Sequence, residues 1–272
     1  MNSTGKNAVT DHKVEKPFLC GSPVDEHTLK NSLLFLGSLL VCYLFSFIIC
    51  SSTGFAGTVL RVVINLIIII VILTIYFNNG TNQGTEAVAR GEILWQKQQR
   101  GQSFSGKEQS VCFHKAKGFL TGLLGTLPLF ITALVFAFST SVQMTDSGAL
   151  PSWMNAYTGR GDIGSALVQY LEPEGMNAVD YLRVIVRVCM MPFVNMIGYS
   201  NKTGMFILER LSPVIMLLPA VAYGFGYLTG RDVRTKVHTA ISDNEKKRSR
   251  IERKKRRNRQ LGHEARGPEQ LN

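Results

Sequence analysis

Six polar side chains stand in stretches of sequence that are otherwise apolar. Arg61 and Asn65 are one helical turn apart in the first such stretch. Asp180, Arg183 and Arg187 share one helical face in a second, and Glu209 stands at the head of a third. A charge in an apolar setting is costly unless it is paired or reaches water. Arg61 can therefore snorkel to the headgroups as an anchor, or with Asn65 contact an anion or a headgroup. Asp180, Arg183, Arg187 and Glu209 have nearly matched charge, so mutual pairing is the expected arrangement. The sharper reading gathers Arg61, Asn65, Arg183, Arg187 and Glu209 around a small polar cavity near the outer leaflet, as a ligand site.

Other chemistry finds little support. The histidines are His12, His27, His114, His238 and His263. None lies in an apolar stretch, and none belongs to an H-E-x-x-H or C-x-x-C set. Cys112-Phe113-His114 offers too few ligands for zinc. There is no G-x-S-x-G elbow and no phosphate-cradling loop. The expectation is therefore no catalytic residue, no metal and no cofactor. The five cysteines suggest no disulfide framework. Three of them, Cys42, Cys50 and Cys189, fall in apolar stretches, where a thiol behaves as a small hydrophobe.

Two further groups are set apart by spacing. Gly118, Gly122 and Gly125 recur on one helical face, where small residues let helix backbones approach within a membrane. Near the other end of the sequence Lys246, Lys247, Arg248, Arg253, Lys254, Lys255, Arg256 and Arg257 form a polybasic run. Beside a membrane helix each such residue adds about 1 kcal/mol of attraction to anionic lipid. No aromatic residue interrupts the run to stack on bases, so nucleic acid is an unlikely partner on sequence grounds. Anionic headgroups are the expected partner, with other membrane subunits beside them.

The elements that hold these residues are apolar blocks of spanning length. About 20 apolar residues cross a bilayer as a helix. The sequence predicts an all-α, polytopic membrane protein with helices over about 32–50, 58–77, 118–140, 178–199 and 205–229. A polar tail over 1–30, a membrane domain over 31–230 and a polybasic tail over 231–272 complete the division. Asn78-Asn79-Gly80 reads as a turn opening a polar loop over 78–117. Some thirty mostly polar residues precede the first helix, which is too long a lead for a signal peptide.

Charge sets the expected topology. The 78–117 loop has six Lys/Arg against three Glu, and the 231–272 tail fourteen Lys/Arg against six acids. Both are placed in the cytoplasm by the positive-inside rule. The 141–180 loop has five acids against one Arg and is placed outside. These sides require an odd number of crossings between that loop and the tail. Segment 178–199, with Arg183, Arg187, Pro192 and Asn195, is then the one that lies along the interface or re-enters part way. Four spanning helices result, with both termini cytoplasmic; the rival arrangement has five. The whole reads as a subunit or scaffold of a cell-membrane complex, with a small transporter or channel component as the alternative.

Overall fold

The computed structural model describes residues 14–52, 57–140, 157, 160–162, 178–198 and 201–264, with side chains through Asn258. The described residues form helices and no strand. In chain order these are α1 (Glu26–Ser52), α2 (Thr58–Gln99), α3 (Gly106–Ser110), α4 (Lys117–Ser139), α5 (Ala178–Cys189), α6 (Met191–Ile197) and α7 (Lys202–Glu264). Four of them, α1, α2, α4 and α7, are long and apolar enough to cross a membrane. The acidic 141–180 segment, with Trp153 and Tyr170, lies almost wholly outside the described residues, as does polar tail 1–13.

Helix α7 is the central member. It packs along α2 and α4, α4 packs along α1, and α1 touches α2 only sparingly. Leu39, Tyr43, Tyr76, Phe136, Met216 and Tyr223 are buried together between them. Large apolar side chains such as Ile67, Ile70 and Phe138 point outward. That inside-out distribution suits a lipid solvent, which imposes no hydrophobic penalty on an exposed isoleucine.

Two helices outrun the bilayer. With 42 residues α2 is about 63 Å long, and with 63 residues α7 is about 95 Å, against a hydrocarbon core of about 30 Å. The expected loop at Asn78-Asn79-Gly80 is therefore corrected: α2 continues through it to Gln99. The turn residues serve another purpose here. A Cβ on Gly80 would run into the Tyr223 carbonyl, and one on Gly230 would come within 2.5 Å of Gly84. Gly80 and Gly84 on α2 thus face Gly226 and Gly230 on α7, and two backbones meet where any side chain would hold them apart. The tail after Gly230 is likewise helical, as the continuation of α7.

Segment 178–198 does not cross. It is two short helices broken at Met190, whose φ of −104° and ψ of 19° leave the helical region. Pro192, which lacks an N–H, stands at the start of α6, where that group is not needed. The segment enters beside the C-terminal end of α4, where Arg183 reaches Thr140. Cys189 and Met190 then join Tyr43 and Met216 in the core. By Asn195 the chain is back at the end of α1, donating to the Cys50 carbonyl. Tyr43 and Cys50 are seven residues apart on α1, a rise of about 10 Å. The segment therefore dips about that far and leaves by the end it entered, at Gly198 (φ 81°) beside Arg61.

Residues 14–25 are held in place, where the sequence suggests a flexible tail. Leu19 donates to the Gly91 carbonyl (3.2 Å) and Gly21 to that of Phe113 (3.0 Å). Asp25 then caps α1, accepting from the Thr28 amide at 2.7 Å while its own amide donates to the Thr28 hydroxyl.

Candidate functional site

The dip of α5 positions the first polar group. Glu209, 4% exposed, accepts from Arg187 Nη2 at 2.6 Å and from the Thr140 hydroxyl. Arg183 lies 3.5 Å from the same carboxylate, and its other side meets Asp180 at 2.8 Å. The Arg183 guanidinium also sits 5.8 Å from the centre of the Phe136 ring. Two arginines on α5 thus clamp one glutamate on α7, and Thr140, just past the end of α4, contacts both Glu209 and Arg183.

Arg61 and Asn65 belong to a different group. Asn65 is wholly buried, accepts from the Cys50 thiol at 3.0 Å and donates to the Arg61 carbonyl at 2.7 Å. Cys50 in turn receives Asn195 on its carbonyl. This chain of amides ties α1, α2 and α6 together at the same end of the bundle. Among the described residues no hydrogen bond or ion pair joins Arg61 or Asn65 to Arg183, Arg187 or Glu209. The single five-residue cavity expected from the sequence is thus replaced by two knots, and in each one buried guanidinium nitrogen, Arg61 Nε or Arg183 Nε, has no hydrogen-bond partner among the described residues.

At the opposite end, where α2 and α7 project, the structure buries charges that the sequence hides. Lys117 and Asp25 pair at 2.6 Å with side chains 8% and 0% exposed. Burial pushes the Asp25 carboxyl up, but hydrogen bonds from Lys117 and Thr28 outweigh it and hold the carboxyl below its ordinary range. Further along, Glu92 accepts from Arg234 at 2.9 Å and meets His238 at 2.7 Å. Glu92 lies well past Phe77, beyond the apolar part of α2. Burial raises its carboxyl, and the hydrogen bonds with Arg234 and His238 more than reverse this. A periodic signal for this cluster does exist. Gly80, Gly84, Val88 and Glu92 follow at intervals of four on α2, as do Gly226, Gly230, Arg234 and His238 on α7. The glycine seam runs straight into the ionic one.

The glycine face of α4 meets two neighbours. A Cβ on Gly122 would come 3.0 Å from the Ala220 carbonyl, and one on Gly125 within 2.8 Å of the Ser32 carbonyl. Gly118 faces the Tyr227 side chain. The basic run, Lys246 to Arg257, occupies an exposed part of α7. As a continuous helix, α7 carries Lys246 about 24 Å and Arg257 about 40 Å beyond Gly230. Among the described residues no group of three or more His, Cys, Asp and Glu is placed to hold a metal ion. Comparison with protein-family models, curated proteins and solved structures gives no match.

Proposed function

We propose that this chain is a non-catalytic subunit of a membrane complex, a four-span anchor that holds a basic helical arm away from the bilayer for an acidic partner. The observation that carries this reading is the continuity of α7. One 63-residue helix, Lys202–Glu264, carries both the buried Glu209 and the exposed Arg257. The seams with α2 fix its direction by backbone contact at Gly226 and Gly230 and by the Glu92 ion pairs beyond them. The internal pairing of Glu209 supports a structural role for its knot over a transport role. Cations lie on every side of the arm, without aromatic residues between them, so recognition is by charge and not by shape. The excess of Lys and Arg at the arm end supports a topology with both termini in the cytoplasm and the Glu209 knot near the outer leaflet.

The test is co-purification of the full chain in mild detergent, compared with a variant in which the nine basic residues from Lys246 to Arg257 are Gln. The expected result is a partner retained by the wild type, lost from the variant, and released from the wild type as salt rises. An identical set of co-purifying proteins from both would overturn the arm's role. Release by nuclease would reassign the partner to nucleic acid.

A further inference from the structure

At the arm end, α1 and α2 draw apart. Between them lies a cavity of about 360 Å³, bounded also by the starts of α4 and the middle of α7. That size falls in the range of small-molecule sites, roughly 300–1,000 Å³. Two helical faces oppose each other across it. Helix α1 presents His27, Lys30, Asn31 and Leu34, and α2 presents Gln83, Glu86 and Arg90. Each set repeats at intervals of three or four, so each lines one side.

The state of these side chains is informative. Glu86 is taken by Arg90 at 2.6 Å, and Asp25 by Lys117 at 2.6 Å. Lys30 has no ion pair, and Lys30, Asn31 and Gln83 have no side-chain hydrogen bond among the described residues. Both carboxylates of the lining are therefore occupied, while a cation and two amide groups remain for a guest. The lining carries one positive charge in excess. An anion fits that pattern, and an ammonium group finds no free carboxylate in it.

Position selects among anions. Lys30 stands just before the apolar run that begins at Leu33, at the depth of the headgroups. Leu34, 63% exposed, lines the cavity, and Leu33 and Val41 continue an exposed apolar track along α1. The most apolar stretch of α2 is likewise almost wholly unburied within the bundle. An anion with acyl chains would use that track; a free anion would not.

We propose that this cavity seats the phosphate-bearing headgroup of an anionic phospholipid, with Lys30 supplying the charge, Asn31 and Gln83 the hydrogen bonds, and Leu34 the first contact with an acyl chain. The site is separate from the arm and independent of what the arm binds.

Native mass spectrometry of the full chain tests this, with phosphatidylglycerol, phosphatidylcholine and inorganic phosphate as probes. The wild type should hold one phosphatidylglycerol in preference to phosphatidylcholine. Lys30→Gln should weaken that adduct by roughly tenfold, the loss of one charge-assisted contact. Lys30→Arg should keep it, and Gln83→Leu should weaken it less. The variant with the arm neutralised should retain it, which separates this site from any lipid held by the arm. Equal retention by Lys30→Gln and the wild type, or equal binding of phosphatidylcholine, would overturn the proposal. Displacement of the lipid by millimolar phosphate would assign the cavity to a free anion and overturn it as well.

Discussion

Glu209 is the residue on which the outer knot turns, because three groups from α4 and α5 converge on its one carboxylate. Glu209→Met should cost more stability than Arg187→Met, since it leaves two arginines facing each other. Arg187→Met should cost less than the roughly 3–5 kcal/mol of a wholly orphaned buried charge, because Arg183 still faces the carboxylate. A double-mutant cycle on Tm in detergent should give a coupling of about 1 kcal/mol or more between Arg187 and Glu209. Zero coupling would show that the pair is incidental. At the other end Asp25 should matter in acid. Its carboxyl is held below its ordinary range, so the pair with Lys117 stabilises the fold fully above about pH 4, and that part is lost as pH falls through the lowered value. Asp25→Asn should lower Tm at pH 7 and flatten its decline between pH 5 and 3. A wild-type and variant difference that stays constant over that range would contradict the assignment. The outer knot was legible in the sequence because its charges repeat at helical spacing in apolar surroundings. Asp25, Lys117, Glu92 and His238 were not. They sit among other polar residues, where nothing in composition distinguishes a buried charge from a solvated one.

At the scale of elements, the lesson lies in the glycines. Asn78-Asn79-Gly80 has the local chemistry of a turn, and local chemistry is what the sequence reading weighed. The tertiary contact with Tyr223 and Tyr227 decides otherwise, because only a helical α2 can bring Gly80 and Gly84 against α7. The same logic makes a controlled experiment. Gly84→Leu and Gly122→Leu should each cost about 1–3 kcal/mol and broaden the elution profile in detergent, since both intrude on a neighbouring backbone. Gly37→Leu should be silent, as nothing lies within 4 Å of that position. Disruption by Gly37→Leu, with Gly84→Leu tolerated, would mean that the helices pack by other faces. The break at Met190 was half visible: Pro192 marked a weak place, but the depth of the dip depends on partners from α1 and α7 that spacing alone does not name.

For the whole molecule, the path of segment 178–198 bears on topology. Its two ends meet the same end of the bundle, so four crossings leave residues 14–25 and the arm together at the other. An impermeant maleimide on intact cells should leave Cys20 unlabelled and should label Ser147→Cys. Labelling of Cys20 from outside would reverse the orientation proposed above. Cys20 is the useful reporter because it is exposed; Cys112 is wholly buried and would stay silent on either side. That the chain is a helical membrane bundle was plain from its apolar blocks. That its polar ends are structured was not, since their order comes from pairing across the sequence. The Val14 amide donates to the Thr239 hydroxyl over 225 positions of chain, and Arg231 reaches Glu15. Contacts of such range form late, after the cost of closing a long loop has been met. During synthesis Val14 and Glu15 must therefore wait for α7. A chain interrupted before α7 would insert three helices and leave these two residues without their partners, a mark by which quality control could tell an unfinished copy from a finished one.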